Sequence, residues 1–177
     1  MEPTDDSPEK SAPTPSERPL VNTDDEPRVV LAAVDTSPAA KRVISMAARF
    51  VRAYPQATLH VLHVLRSSRL DKAQAAHAGV PGMSSEAVED AKDHLEYHKR
   101  SAMAQCRNTV ISHFAAGNPT GEILRFCDEL KVDLLVIATH DHAGFERLLL
   151  GSIAETLMRK AHCSVTVVRQ AAHVADR

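Results

Sequence analysis

The chain has 177 residues, a formal net charge of −2, 3% aromatic residues and no tryptophan. A near-neutral balance excludes a general binder of nucleic acid or anionic membranes, which needs a basic surface. The scarcity of aromatic rings excludes a base-stacking platform for single strands, and no apolar run approaches the ~18 residues of a membrane span.

The first 27 residues, MEPTDDSPEKSAPTPSERPLVNTDDEP, hold six of the ten prolines and almost no large apolar side chains. Such a segment cannot bury enough surface to offset its ordering entropy, so residues 1–27 are expected to form a disordered acidic tail. The tail has neither a basic n-region nor an apolar h-region, which argues against a secretory signal. Residues 28–170 then make one domain with a real core, and 171–177 a short C-terminal tail. Cys106, Cys127 and Cys163 are odd in number and show no CxxC spacing, so they are expected to be reduced, small packing residues of a cytoplasmic protein.

RVVLAAVD, Arg28 to Asp35, is an apolar run ending in a carboxylate and reads as a central parallel strand. Thr36-Ser37-Pro38 reads as an N-cap with proline at the first helical position. The helix runs to about Ala53. Val43, Ala47 and Phe50, with Ile44, Ala48 and Val51 beside them, form its buried stripe, and Tyr54-Pro55 stops it. Ala57 to Leu65 is a second strand, and Arg66 to Met83 a long polar loop. Ser84 or Ser85 caps a helix that starts with Glu86, Glu89 and Asp90 and extends to about Gln105.

Thr109 to Ala115 is a third strand. Gly117-Asn118-Pro119 turns into a helix over Thr120 to Leu130, and DLLVIA, Asp133 to Ala138, is a fourth strand. Ser152 to Ala161 is a helix and Ser164 to Val168 a fifth strand. The β-α-β-α-β-α-β-α-β order predicts an α/β fold: a five-stranded parallel sheet with helices on both faces and right-handed crossovers. The strand order is not itself visible in a sequence; for five strands 3-2-1-4-5 is the favoured expectation.

Ligands of such sheets bind beyond the carboxyl ends of the strands, where the order reverses. Here that point falls between the first and fourth strands. It puts Asp35 beside the loop from Ala138 to Asp141, with Gly151-Ser152 nearby. Asp35 can accept hydrogen bonds from a ribose or an adenine amino group. Gly151 permits close backbone approach, and the amides of Ser152 and Ile153 can point at phosphate oxygens. The plainer alternative is that Asp35 merely ends a strand and Gly151-Ser152 is an ordinary helix start.

VVLAAVDTS, HVLHV, Gly117-Asn118-Pro119, DLLVIATH and RLLLGSIAETLMRKAHCSVTVV together resemble the universal stress protein family, the UspA-like domains, over about residues 28–169. The resemblance implies a nucleotide-binding-like domain, commonly a homodimer joined through the last strand, that acts in stress response by binding or signalling. Many members bind ATP or related adenine nucleotides. It implies a site built from Ala33, Val34, Asp35 and Thr36, from Val64, and from Ala138, His140, Asp141, Gly151, Ser152 and Ile153. It also implies dimer contacts by Val165, Thr166, Val167 and Val168.

The family's ATP motif is Gly, two residues, Gly, nine residues, Gly, then Ser or Thr. The matching positions here are Ala138, Asp141, Gly151 and Ser152, so the spacing and second half are kept while both early glycines are replaced. Ala138 adds one methyl. Asp141 adds a charge near the expected phosphates. At ~4 Å, like charges repel by about 1 kcal/mol in water and about 4 kcal/mol at an effective dielectric of ~20. A helix N-terminus returns only ~0.3–1 kcal/mol, or about 2 when partly buried. A bare triphosphate is therefore expected to bind weakly unless Asp141 turns to solvent, Mg²⁺ bridges it to the phosphates, or His140, His142 or Arg147 neutralises it.

Other patterns are weaker. His94 and His98 share a helix face with Asp90, as metal ligands often do, but no further ligands follow by spacing, and a solvated face is expected. His60 and His63 point to opposite sheet faces, and His63 is expected to be a hydrogen-bonded core histidine. Asp35, His140 and Ser152 could converge for catalysis, although Ser152 is better used at the helix start. The last strand is an edge that invites pairing with a second copy. The alternatives to a nucleotide-binding stress protein are a nucleotide hydrolase or transferase, and a protein-interaction module that takes no small ligand.

Overall fold

The computed structural model describes residues 26–66, 84–139 and 151–169. The elements alternate throughout: β1 (Val29–Val34), α1 (Ala40–Ala53), β2 (Thr58–Arg66), α2 (Ser85–Gln105), β3 (Val110–Gly117), α3 (Pro119–Leu130), β4 (Leu134–Ala138), α4 (Ser152–Lys160) and β5 (Ser164–Val168). All strand pairs are parallel, and the order is β3-β2-β1-β4-β5, the favoured expectation.

Strand alternation divides the core into two layers. Val30, Ala32 and Val34 of β1 pack with Leu59 and Val61 of β2, Val43, Ile44, Ala47 and Val51 of α1, and Leu95 and Ala102 of α2. Leu31 of β1 faces the other way, with Leu62 of β2, Leu135 and Ile137 of β4, Ile123 of α3, and Ala154 and Leu157 of α4. Each large aliphatic chain buried in this way contributes about 1.5–3 kcal/mol. Phe50 is only half buried at the margin of its layer, outside the fully covered stripe of α1.

Helix α1 begins later than its proline suggests. Pro38 is not the first helical residue, and neither Thr36 nor Ser37 caps the helix: Ala39 precedes it with no side-chain cap. The cause is Asp35. Its Oδ1 accepts a hydrogen bond from the Ser37 amide at 2.9 Å, and the Ala40 amide donates to the Ser37 carbonyl at 3.1 Å. An aspartate that captures the amide two residues on makes a turn first. Helix α2 begins as read, with the Ser84 hydroxyl accepting from the Ala87 amide at 3.2 Å.

The sheet is tied at one end and parted at the other. At the amino ends, Asp133 Oδ2 accepts from the amides of Arg28 and Val29 at 2.8 and 2.9 Å, and the Asp133 amide donates to the Val29 carbonyl at 2.9 Å. The β1–β4 pairing covers only Val30–Ala32 against Leu134–Val136. Beyond it, β1 stays paired with β2 as far as Val34, and β4 with β5 as far as Ala138. The carboxyl ends of β1 and β4 thus belong to separate halves of the sheet, and a crevice opens between them.

Candidate functional site

That crevice is a cavity of about 570 Å³. Ala33, Val34, Asp35 and Thr36 line it from β1 and its following turn, and Val64 lines it from β2. Ala138 comes from β4, and Gly151, Ser152 and Ile153 come from the start of α4. The acid that ends the first strand and the glycine-serine start of the last helix therefore face one space. His140 and Asp141 lie outside the described residues, as do His142 and Arg147.

The two principal walls differ in chemistry. Asp35 engages the Ser37 amide through Oδ1, and a carboxylate has about four lone-pair sites, so the same group can also accept from a ligand. Opposite it, Gly151 precedes α4 and brings no side-chain cap. The Glu155 amide reaches the Gly151 carbonyl at 3.0 Å. The amides of the first turn have helix geometry suited to an anion. The backbone of Gly151, φ −53° and ψ 146°, is open to any residue, so a glycine here serves close approach rather than strain.

His63 stands at the β2 wall, 4% exposed. Its Nδ1–H donates to the Val34 carbonyl at 3.1 Å, which leaves Nε2 as the acceptor in the neutral ring. Burial lowers its pKa, against the raising effects of the Val34 bond and Asp35. The expectation of a hydrogen-bonded core histidine holds. The hydroxyl of Thr139, just after β4, is buried and has no protein partner among the described residues.

Several cavity residues escaped the sequence reading. Arg66 ends β2 and lies on the wall, as do Pro119 and Ile123 at the start of α3. The signal existed. Arg66 follows Val64 by two residues, hence on the same strand face, and it pairs in register with Gly117 just before α3. What sequence could not show was that α3 leans over the β2 end.

The Asp90–His94–His98 face is not simply solvated. His98 is 4% exposed, and its Nδ1 has no protein partner among the described residues, like the nearby Ser37 hydroxyl. The three residues line a second cavity with Thr36, Ser37 and Lys41. Helix α2 lies against α1, and this turns His98 inward. Desolvation, then His94, lowers the His98 pKa. Among the described residues no group of three or more His, Cys, Asp or Glu side chains is arranged to hold a metal ion. No helix among them is long and apolar enough to cross a membrane.

Comparison with known proteins gives this geometry a context. Residues 27–169 match the model of the universal stress protein family. A universal stress protein A homolog of Coxiella burnetii is 31% identical over 147 residues, covering 78% of this chain and 94% of that protein. Universal stress protein MJ0531 of Methanocaldococcus jannaschii is 41% identical over 61 residues, 34% of this chain and 36% of its own length. Among solved structures, MJ0577 of the same archaeon superposes with a TM-score of 0.69 at 21% identity, covering 82% of this chain and 97% of that one. A universal stress protein of Archaeoglobus fulgidus in complex with dAMP gives 0.59 at 23% identity, over 79% and 95% of the two chains. A family protein of Arabidopsis thaliana with AMP bound gives 0.56 at 19% identity, over 85% and 97%.

Proposed function

The chain belongs to the universal stress protein family, and we propose that it binds an adenine nucleotide in the crevice between β1 and β4 as a binding or signalling component of a stress response. One observation carries the reading: Asp35 and Gly151-Ser152 line a single cavity, of about 570 Å³, at the strand-order reversal. The base and ribose lie against Ala33, Val34, Thr36 and Val64, with Asp35 accepting a ribose or amino hydrogen. The phosphate meets the first-turn amides of α4, whose positive end favours an anion.

Phosphate number follows from charge. Asp141 replaces a motif glycine, so a monophosphate is preferred over a bare triphosphate, and ATP enters with Mg²⁺. The nucleotide complexes of the Archaeoglobus and Arabidopsis relatives, with dAMP and AMP, support an adenine ligand. Titration calorimetry with AMP, ATP and Mg-ATP tests this. AMP binds more tightly than metal-free ATP, and Asp35→Ala weakens AMP by about tenfold, the loss of ~1.4 kcal/mol expected for one charge-assisted hydrogen bond. Absence of heat from every adenine nucleotide at millimolar concentration rejects the proposal.

The same reading includes a homodimer. Strand β5 is an edge of the sheet; Val165, Thr166 and Val167 are half buried, and Val168 is covered. Antiparallel pairing of two β5 edges about a two-fold axis would satisfy their outward backbone groups. Light scattering at micromolar concentration gives twice the chain mass on this view, and a monomer removes it.

A further inference from the structure

The three cysteines divide by layer. Cys106 ends α2, where its thiol donates to the Ala102 carbonyl at 3.4 Å, within the α1/α2 layer. Cys127 on α3 and Cys163 just before β5 meet in the other layer, packed in one apolar cluster. Together with Asp128, Lys131, Val132 and His162 they line a cavity of about 340 Å³. Cys127 is buried and Cys163 half buried. Both residues thus border one space that a small oxidant can enter, and Cys163 is the more exposed of the two.

We propose that Cys127 and Cys163 are a redox modification site, oxidised by hydroperoxides to an intramolecular disulfide that ties α3 to the start of β5. Two features of the pair suit this chemistry. The two side chains share one apolar cluster and one cavity, and their mutual interaction raises the Cys127 pKa and lowers that of Cys163. Cys163, the more exposed residue, is therefore the one favoured as thiolate, the nucleophilic form.

The steps balance. The Cys163 thiolate attacks hydrogen peroxide; an S–O bond forms, the O–O bond breaks, and hydroxide leaves to take up the thiol proton as water. Cys163 is now a sulfenic acid. Cys127 then attacks the Cys163 sulfur; the S–S bond forms, the S–O bond breaks, and the hydroxyl leaves with the Cys127 proton as a second water. Two thiols and one peroxide give one disulfide and two waters, the sulfurs losing the two electrons that the peroxide gains. The covalent ring so closed contains β4, Gly151, Ser152 and α4, so oxidation restrains the crossover that reaches the crevice. The disulfide itself rests on no assumption about a nucleotide.

Full-length protein treated with stoichiometric hydrogen peroxide, blocked with N-ethylmaleimide in denaturant and mapped under non-reducing conditions tests the site. The expected result is a linked pair of peptides containing Cys127 and Cys163. Alkylation at both positions is nearly abolished, Cys106 stays alkylated, and dithiothreitol reverses the change. Oxidised wild-type protein also melts at higher temperature than reduced protein, because the link restricts the unfolded chain. In Cys127→Ala, Cys163 is left as a sulfenic acid that dimedone labels. Full alkylation of both cysteines after peroxide, or passage of Cys163 to sulfinic acid without any linked peptide in the wild type, overturns the proposal.

Discussion

Helices α3 and α4 both begin at the rim of the crevice, yet they begin in opposite ways. At α3, Gly117 carries φ +152°, a backbone state that side chains resist. The Asn118 side chain accepts from the Gly121 amide at 3.0 Å, and Pro119 occupies the first turn. The positive end of this helix is closed by its own sequence. At α4, Gly151 offers no side chain, and among the described residues no side chain caps the helix in its place. The same backbone dipole is spent on the fold at α3 and presented to the crevice at α4. A helix terminus becomes a ligand site when its capping position is left bare and faces a space, and both conditions meet only at the second of these two.

The largest effect expected from breaking this contrast comes from beneath α4. Leu157 is fully buried and both anchors the helix to the sheet and floors the crevice. Leu157→Ala lowers unfolding free energy in urea by about 3 kcal/mol, within the ~2–5 kcal/mol typical of such truncations, and weakens AMP as well. A cost under about 1 kcal/mol would mean that α4 is not firmly docked. The contrast sharpens in a crossed pair of variants. Gly151→Val leaves stability within about 0.5 kcal/mol but lowers AMP affinity at least about tenfold, ~1.4 kcal/mol, by filling the approach to the amides. Asn118→Ala does the reverse, costing about 1 kcal/mol of stability with AMP affinity unchanged. If Asn118→Ala also weakened AMP, the two helix starts would not be functionally distinct.

The sequence made α3 far more legible than α4. Gly117-Asn118-Pro119 announces its turn, cap and first residue locally, and the structure starts the helix within one residue of that reading. The alternating parallel architecture was also readable, because five apolar runs separated by helices leave few topologies, but the strand order was only a favoured choice until the structure displayed it. The α1 start was misread because the decisive bond is made by Asp35, a residue with a second plausible use. Arg66 was missed, and His98 was given the wrong surroundings, for one shared reason: what packs over a strand end or a helix face is set by residues far away in the chain. The meeting of Cys127 with Cys163 was invisible on the same ground, since no spacing rule joins the end of α3 to the start of β5.

The smallest effect is spread over both layers and concerns pH. His60, His63, His98 and His113 all have lowered pKa values, in each case chiefly through desolvation. In the unfolded chain each titrates near ~6.5. Below that value the unfolded state binds protons that the folded state resists, so stability is full above pH ~6.5 and is lost as pH falls toward the folded values. The His60–His113 pair adds a geometric reason. His60 Nδ1 and His113 Nε2 are 2.7 Å apart in stacked rings, a bond that requires one of the two nitrogens to lack a proton. Double protonation removes the acceptor and sets two positive rings face to face. The melting temperature therefore falls between pH 7.5 and pH 5.5 by scanning calorimetry, and the fall is shallower in His63→Asn, whose amide can still donate to the Val34 carbonyl without titrating. A melting temperature that rises on acidification through this range would mean that these rings are stabilised as cations in the folded chain, against the desolvation that surrounds them.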